Sequence, residues 1–295
     1  MSLTLYRVSA FPRGNFGGNE AGVVLDAQGL SDTQMLEIAR RVNFSETAFV
    51  LPSDTADYRL RYFSPTLEVP LCGHATIATF NLMRNLDMLN KDHYTIETRK
   101  GILDVHVREG NVTMQMKKPT YDEPLDKADV AAHLGIDPSI INDLPIQVVS
   151  TGIREIFMGV HSRIALENLN VSTEKIVSLC ERVNAEGLYI YTFESVEGGD
   201  AHGRNFIPMV GIVEESATGT ASGALACYLN AHHDADMTSY VFEQGYTMYK
   251  PSRITVQLHK EAGRITGVYV GGTMRLIDKI VGFMPSDQDD TQPTA

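Results

Sequence analysis

The sequence predicts an α+β fold of two pseudo-symmetric halves, each a mostly antiparallel β-structure wrapped around or packed over one central α-helix. Three observations carry that reading. Six segments recur in the same order at a nearly constant offset. The strand-like segments are short and separated by turn residues. Each half also holds one long helix that is apolar on more than one face, the mark of a buried helix.

The elements pair off along the chain. AGVVLDA (21–27) matches SRIALEN (162–168) and reads as a short strand in both copies. LSDTQMLEIARRVN (30–43) matches VSTEKIVSLCERVN (171–184). Both are helices: Ser31 and Ser172 stand where an N-cap belongs. Met35, Ile38, Ala39 and Val42 correspond to Ile176, Leu179, Cys180 and Val183 at helical spacing. ETAFVL (46–51) and GLYIYT (187–192) follow as strands, and RYFSP (61–65) matches RNFIP (204–208). CGHATIATFNLM (72–83) matches TGTASGALACYL (218–229), and central helices are expected over 75–89 and 220–232. KGILDVHV (100–107) is matched to QGYTMYKP (244–251). The halves are set at 1–118 and 119–283, with separate sheets and a cleft between them. The last strand of the second half is a candidate to pack on the first. Residues 284–295 are expected to be a mobile polar tail.

Composition narrows the function. The 295-residue chain is 43% hydrophobic and 21% charged, enough to bury a core in one large or two ordinary domains. Its formal net charge of -12 lacks the footprint of nucleic-acid or anionic-membrane binding, so neither partner is expected. An acidic substrate then needs a local positive field. Cys72, Cys180 and Cys227 are too few and too odd in number for a disulfide framework, and no Cys/His spacing suggests a zinc site. The N-terminus lacks the pattern of a signal peptide, and no apolar run is long enough to span a membrane. A cytoplasmic location is expected.

The chemistry is expected where the two central helices begin. Cys72, Gly73, His74, Ala75 and Thr76 open the first; Thr218, Gly219, Thr220 and Ala221 open the second. Free backbone N–H groups and the positive end of the helix dipole make such starts anion sites without Lys or Arg. Ordinary capping by Thr and Ser is the alternative. Glu46 lies among Phe44, Ala48 and Phe49, and its counterpart is Gly187, so the repeat itself does not require the carboxylate. Apolar surroundings raise a carboxyl pKa toward the range of a general acid/base; a solvated strand-end Glu is the alternative. His74 is a proton shuttle or a cap. Glu215 orients substrate or His74, or favours the helix dipole. GNFGGN (14–19) lacks the Lys-Ser/Thr ending of a phosphate loop and reads as a tight loop. His232-His233-Asp234 reads as a helix end rather than a metal site.

The blocks FPRGNFGGNEAGVVLDA, NFSETAFV, RYFSPTLEVPLCGHATIA and RNFIPMVGIVEESATGTASGAL resemble the PhzF-like phenazine-biosynthesis family over about residues 5–283. The resemblance implies a diaminopimelate-epimerase-type fold of two lobes, each a β-barrel around a central helix. It implies a cofactor-independent isomerase acting on a small carboxylic acid, and a homodimer. It places catalysis on Glu46, His74 and Glu215, and substrate binding on Asn19, Cys72, Gly73, Ala75, Thr76, Thr218, Gly219 and Thr220. No metal or cofactor is implied. Three positions depart from the family pattern: Glu215 stands for Asp, Thr220 for Ser, and Ser216 for Pro. They are read as a longer acid, an added methyl and a loosened turn, and so as a shifted substrate. Related epimerases and proline racemases use two facing cysteines. Cys72 fills the first position, but Thr218, a far weaker acid, fills the second. The alternatives are an epimerase or dehydratase on an amino or hydroxy acid, and a silent small-acid binder.

Overall fold

The computed structural model describes residues 3–108 and 110–283, so the expected polar tail at 284–295 lies outside the described residues. The first half runs β1 (Leu3–Ala10), β2 (Asn19–Val24), α1 (Asp32–Val42), β3 (Glu46–Leu51), β4 (Tyr58–Phe63), β5 (Glu68–Val69), α2 (Gly73–Asn85), β6 (His93–Thr98), β7 (Gly101–Arg108) and β8 (Asn111–Met116). The chain continues through β9 (Thr120–Tyr121) and α3 (Lys127–Leu134) into β10 (Gln147–Ser150) and β11 (Arg154–Gly159). Then come α4 (Arg163–Asn168), α5 (Thr173–Val183), β12 (Gly187–Thr192), β13 (Ala201–Ile207) and β14 (Ile212–Glu215). The order closes with α6 (Gly219–His232), β15 (Ser239–Gln244), β16 (Ser252–Glu261), β17 (Arg264–Gly272) and β18 (Met274–Phe283).

The ladders repeat. α1 is a crossover, so β2 and β3 run parallel; α4 and α5 do the same for β11 and β12. In each half the next strand is antiparallel to that pair, β4 on β3 and β13 on β12. It carries a short antiparallel partner (β5, β14) and a parallel one (β6, β15). Each half then ends in an antiparallel meander, β6–β7–β8 or β15–β16–β17.

Two of the six expected matches are corrected. SRIALEN is not a strand: Ser162 caps α4 by accepting from the Ala165 amide, and the counterpart of β2 is β11. A short apolar run cannot by itself tell helix from strand. QGYTMYKP does not match β7 either. Gly245 and Tyr249 adopt left-handed conformations around a single 3₁₀ turn, and the counterpart of β7 is β16. The expectation of separate sheets is corrected as well. β8 pairs antiparallel with β17, and β18 returns to pair with β1 along its length, so hydrogen-bonded strands run from one half into the other.

Each central helix packs mainly against strands of its own half, and α2 also against β18. α2 is buried from His74 to Met83 and lies against β1, β2, β3, β8 and β18. α6 is buried over Ala221–Asn230 and lies against β10, β11, β16 and β17. Its small residues are demanded by close approach: a Cβ on Gly223 would stand 3.0 Å from Val270 and 3.3 Å from Thr151. The amphipathic helices α1 and α5 cover the outside, burying Met35, Ile38 and Ala39, and Ile176, Leu179 and Cys180. Their caps are Ser31 and Ser172, as the sequence predicts. All three cysteines are buried and free. Among the described residues no helix is long and apolar enough to cross a membrane.

One buried acid lies inside the second half. Glu155 on β11 is fully buried, its Oε1 accepts from Asn205 Nδ2 at 3.3 Å, and its Oε2 has no partner. Burial pushes its carboxyl up from 4.5 to about 8. The folded state therefore keeps a proton that the unfolded chain releases near pH 4.5. Stability from this group is present below that pH and is lost as pH rises toward about 8. Glu155→Gln removes the titrating proton. Thermal melts should show the variant gaining on the wild type from pH 5 to pH 8 by a few degrees, on the order expected for one or two kcal/mol. A difference independent of pH would show that Glu155 does not titrate in this window.

Candidate active site

Side chains from both halves meet beside the starts of α2 and α6. β3 begins at Glu46, directly before the buried run Thr47–Val50. α2 begins after Cys72, so Cys72 and His74 stand on its first turn. β14 ends at Glu215, and Thr218 precedes α6. His74 is the hub: its Nε2 lies 3.4 Å from Glu46 Oε2 and 3.3 Å from Ser45 Oγ. Its Nδ1 lies 3.3 Å from Cys72 Sγ and 3.8 Å from Glu215 Oε1. Asn19 at the start of β2 bridges the halves. Its Nδ2 donates to Glu215 Oε1 at 2.9 Å and to the Ala217 carbonyl at 3.0 Å, and lies 3.4 Å from His74 Nδ1.

Burial sets the proton affinities. The side chains of Glu46, His74 and Glu215 are only 14%, 5% and 12% exposed. Burial raises Glu215 to about 7, helped by the Glu46 charge and opposed by hydrogen bonds from Thr218 and Asn19. Burial, then the Glu46 charge, pushes the Cys72 thiol well above its ordinary value. Burial lowers His74, against the pull of Glu46, so the imidazole is held neutral. A neutral imidazole, a protonated thiol and a half-protonated acid thus surround Glu46 near pH 7.

The two helix starts differ from the others. α1, α3, α4 and α5 are capped by Ser31, Asp126, Ser162 and Ser172. Neither α2 nor α6 has a side-chain cap. Ordinary capping, the alternative at these starts, is therefore not what the fold uses. Gly73 and Gly219, the first helical residue of each, border one apolar crevice together with Phe11, Met114 and Val270.

Several expectations change. Ala75 and Thr76 are fully buried within the first half; Thr76 donates to the Cys72 carbonyl at 2.7 Å and meets Tyr62 OH at 2.6 Å, so its hydroxyl is used internally. Thr220 is half-buried, and its carbonyl accepts from Thr151 Oγ1. Phe49 does not shield Glu46. Alternate residues of a strand face opposite ways; Phe49 packs edge-on against Phe63 in the cluster under α1, while Ala48 and Val50 join the core around α2. Phe44 is half-buried under the Arg7 guanidinium. Ser216 reaches the other half: its hydroxyl donates to the Gly18 carbonyl at 3.0 Å, which a proline could not do. Gln244 was not foreseen. It donates to the Glu215 carbonyl and Thr218 Oγ1 and accepts from the Thr218 amide. Its only sequence signal is a polar residue ending an apolar strand. Ligand atoms of Glu46, Cys72 and His74 lie within 4.8 Å of one another, a grouping that no local spacing in the sequence shows.

Residues 8–277 match the PhzC-PhzF family, described as phenazine biosynthesis-like protein. The chain belongs to this family. The trans-2,3-dihydro-3-hydroxyanthranilate isomerase of Pseudomonas aeruginosa is 32% identical over 273 residues, covering 90% of this chain and 94% of that one. A crystal structure of a Bacillus anthracis PhzF-family phenazine biosynthesis protein superposes with a TM-score of 0.87 at 31% identity, over 96% of this chain and 100% of that one. A hydroxyproline epimerase from Agrobacterium vitis superposes at 0.59 with 14% identity, over 97% of this chain and 94% of that one, a likeness of fold alone. The fold is of the diaminopimelate-epimerase-like kind, and the chain is an isomerase of the PhzC-PhzF family.

Asn19→Ala tests the bridge between the halves. Its loss strips a donor from the Ala217 carbonyl and from Glu215. Urea unfolding should show a loss of about 1–3 kcal/mol. A change below ~0.5 kcal/mol would mean that the bridge carries no stability.

Proposed function

We propose that this family member moves a proton on a small carboxylic acid, using Glu46 as a single acid/base and no cofactor. The observation that carries the reading is the pair of uncapped helix starts, next to Glu46, in a fold that caps its other four α-helices. First-turn N–H groups without a capping side chain, together with the helix dipoles, favour a carboxylate. The chain's net charge of -12 would otherwise repel such a substrate. A relative named for an anthranilate, itself a carboxylic acid, agrees with that class.

In this mechanism the substrate carboxylate docks at the first turns of α2 and α6. Drawing negative charge from the carboxylate makes the adjacent C–H more acidic. Glu46 removes that proton and returns it elsewhere on the same face of the conjugated system. Neutral His74 stands beside the carboxylate, its Nε2 3.4 Å from Glu46 Oε2. Glu215, protonated in part near pH 7, supplies a donor toward a polar substituent of the substrate. The Cys72 thiol is a poor base because burial and the Glu46 charge oppose its ionisation. One base on one face suffices for a hydrogen shift, whereas racemisation needs a partner on each face.

A panel of small cyclic and amino acids incubated in deuterated water, read by mass spectrometry, identifies the substrate by label uptake. Glu46→Gln should then lose on the order of a hundredfold or more in kcat while still binding the ligand. Thr218→Ala should cost far less, since no second base is placed there. Near-normal turnover in Glu46→Gln, with turnover abolished in Cys72→Ala, would hand the role to the thiol. A panel with binding but no labelling would point to a silent binder.

A further inference from the structure

Glu46, Cys72 and His74 present an oxygen, a sulfur and a nitrogen to one small volume. These are the three donor types that Zn²⁺ accepts. Zinc bonds of ~2.3 Å to sulfur and ~2.0–2.1 Å to nitrogen or oxygen, arranged as a tetrahedron, place ligand atoms roughly 3.3–3.6 Å apart. Here His74 Nε2 lies 3.4 Å from Glu46 Oε2 and 3.8 Å from Cys72 Sγ. The thiol lies nearer Nδ1, at 3.3 Å, so it must move toward Nε2 and Glu46 for one metal to touch all three atoms, which lie within 4.8 Å of one another. A second observation is independent of that spacing: Glu46 Oε2 is buried and accepts no hydrogen bond. A buried carboxylate oxygen without a donor is rare, and a cation would satisfy it. Three protein ligands leave the fourth position for water, with Ser45 Oγ 3.3 Å from His74 Nε2.

We propose that these three side chains form a site for a divalent metal of borderline softness, Zn²⁺ foremost, and that metal and substrate exclude each other. Binding exchanges the Cys72 S–H bond for an S–Zn bond, releases that proton to solvent and changes no oxidation state. The exclusion rests on the proposed role of Glu46, because a metal-bound carboxylate cannot take a proton from carbon. The metal site itself does not rest on that role.

The test uses the full chain, freed of metal by a chelator and kept reduced, and titrated with Co²⁺ alone. One equivalent should produce thiolate-to-cobalt charge transfer in the near ultraviolet and the intense visible bands of tetrahedral cobalt. Zn²⁺ should then bleach both by displacement. Cys72→Ser should lose the charge transfer and weaken binding at least tenfold, and His74→Gln should weaken it comparably. The exposed His93–Asp104 pair, 2.6 Å apart, is the competing site. Binding abolished by His93→Ala but unchanged in Cys72→Ser overturns the proposal, as does the absence of stoichiometric binding. Either result leaves the proton-transfer reading intact. Once a substrate is in hand, Zn²⁺ should inhibit competitively in the wild type. Turnover that persists with cobalt bound through Cys72 would overturn the exclusion and, with it, the use of Glu46 as the base.

Discussion

The site depends on one electrostatic constraint: four ionisable side chains from two halves of the chain share a space nearly closed to water. Among the described residues, neither Glu46 nor Glu215 is ion-paired with a lysine or arginine. Balance comes instead from neutral donors and from retained protons. Asn19 and Thr218 donate to Glu215, burial holds that acid partly protonated, and burial keeps Cys72 a thiol. The Glu46 charge adds to burial in raising Glu215, and the proposed mechanism uses that retained proton as a donor beside the base.

The architecture meets this constraint through its seams. Each central helix is buried mainly by its own half, but its first turn lies at the border where the halves join. β8 pairs with β17 and β18 with β1, which fixes the two helix starts relative to each other. Short side-chain contacts finish the alignment. Asn19 reaches Glu215 and Ala217, Ser216 reaches Gly18, and Ser252 holds the Ser216 carbonyl. The glycine loop before β2 is part of the same seam. Gly17 and Gly18 have positive φ, and a Cβ on either would strike backbone at Pro251 or Ala10.

Much of this was legible in the sequence, and the parts that were not share a cause. The helices α1 and α5 announced themselves through caps and periodicity, and α2 and α6 through runs apolar on more than one face, all of them local signals. The matches between β3 and β12 and between the ends of β4 and β13 were legible because their lengths agree in the two halves. SRIALEN misled because the second crossover carries an extra helix, which shifted the repeat out of phase. Glu46, His74 and Glu215 stood out as polar residues amid apolar or small neighbours. Gln244, Ser45 and the metal-capable trio did not, because their meaning lies in contacts between distant segments. Strand alternation turns Phe49 to the face opposite Glu46, so nearness in sequence does not make it a neighbour of the carboxylate.

The central claim is that one carboxylate works on one face of the substrate. The most direct measurement is the stereochemistry of the new C–D bond when the reaction runs in deuterated water, read by NMR on the isolated product. The account predicts that deuterium enters on the face from which the proton left. Entry on the opposite face would contradict it and require a second acid across the cleft.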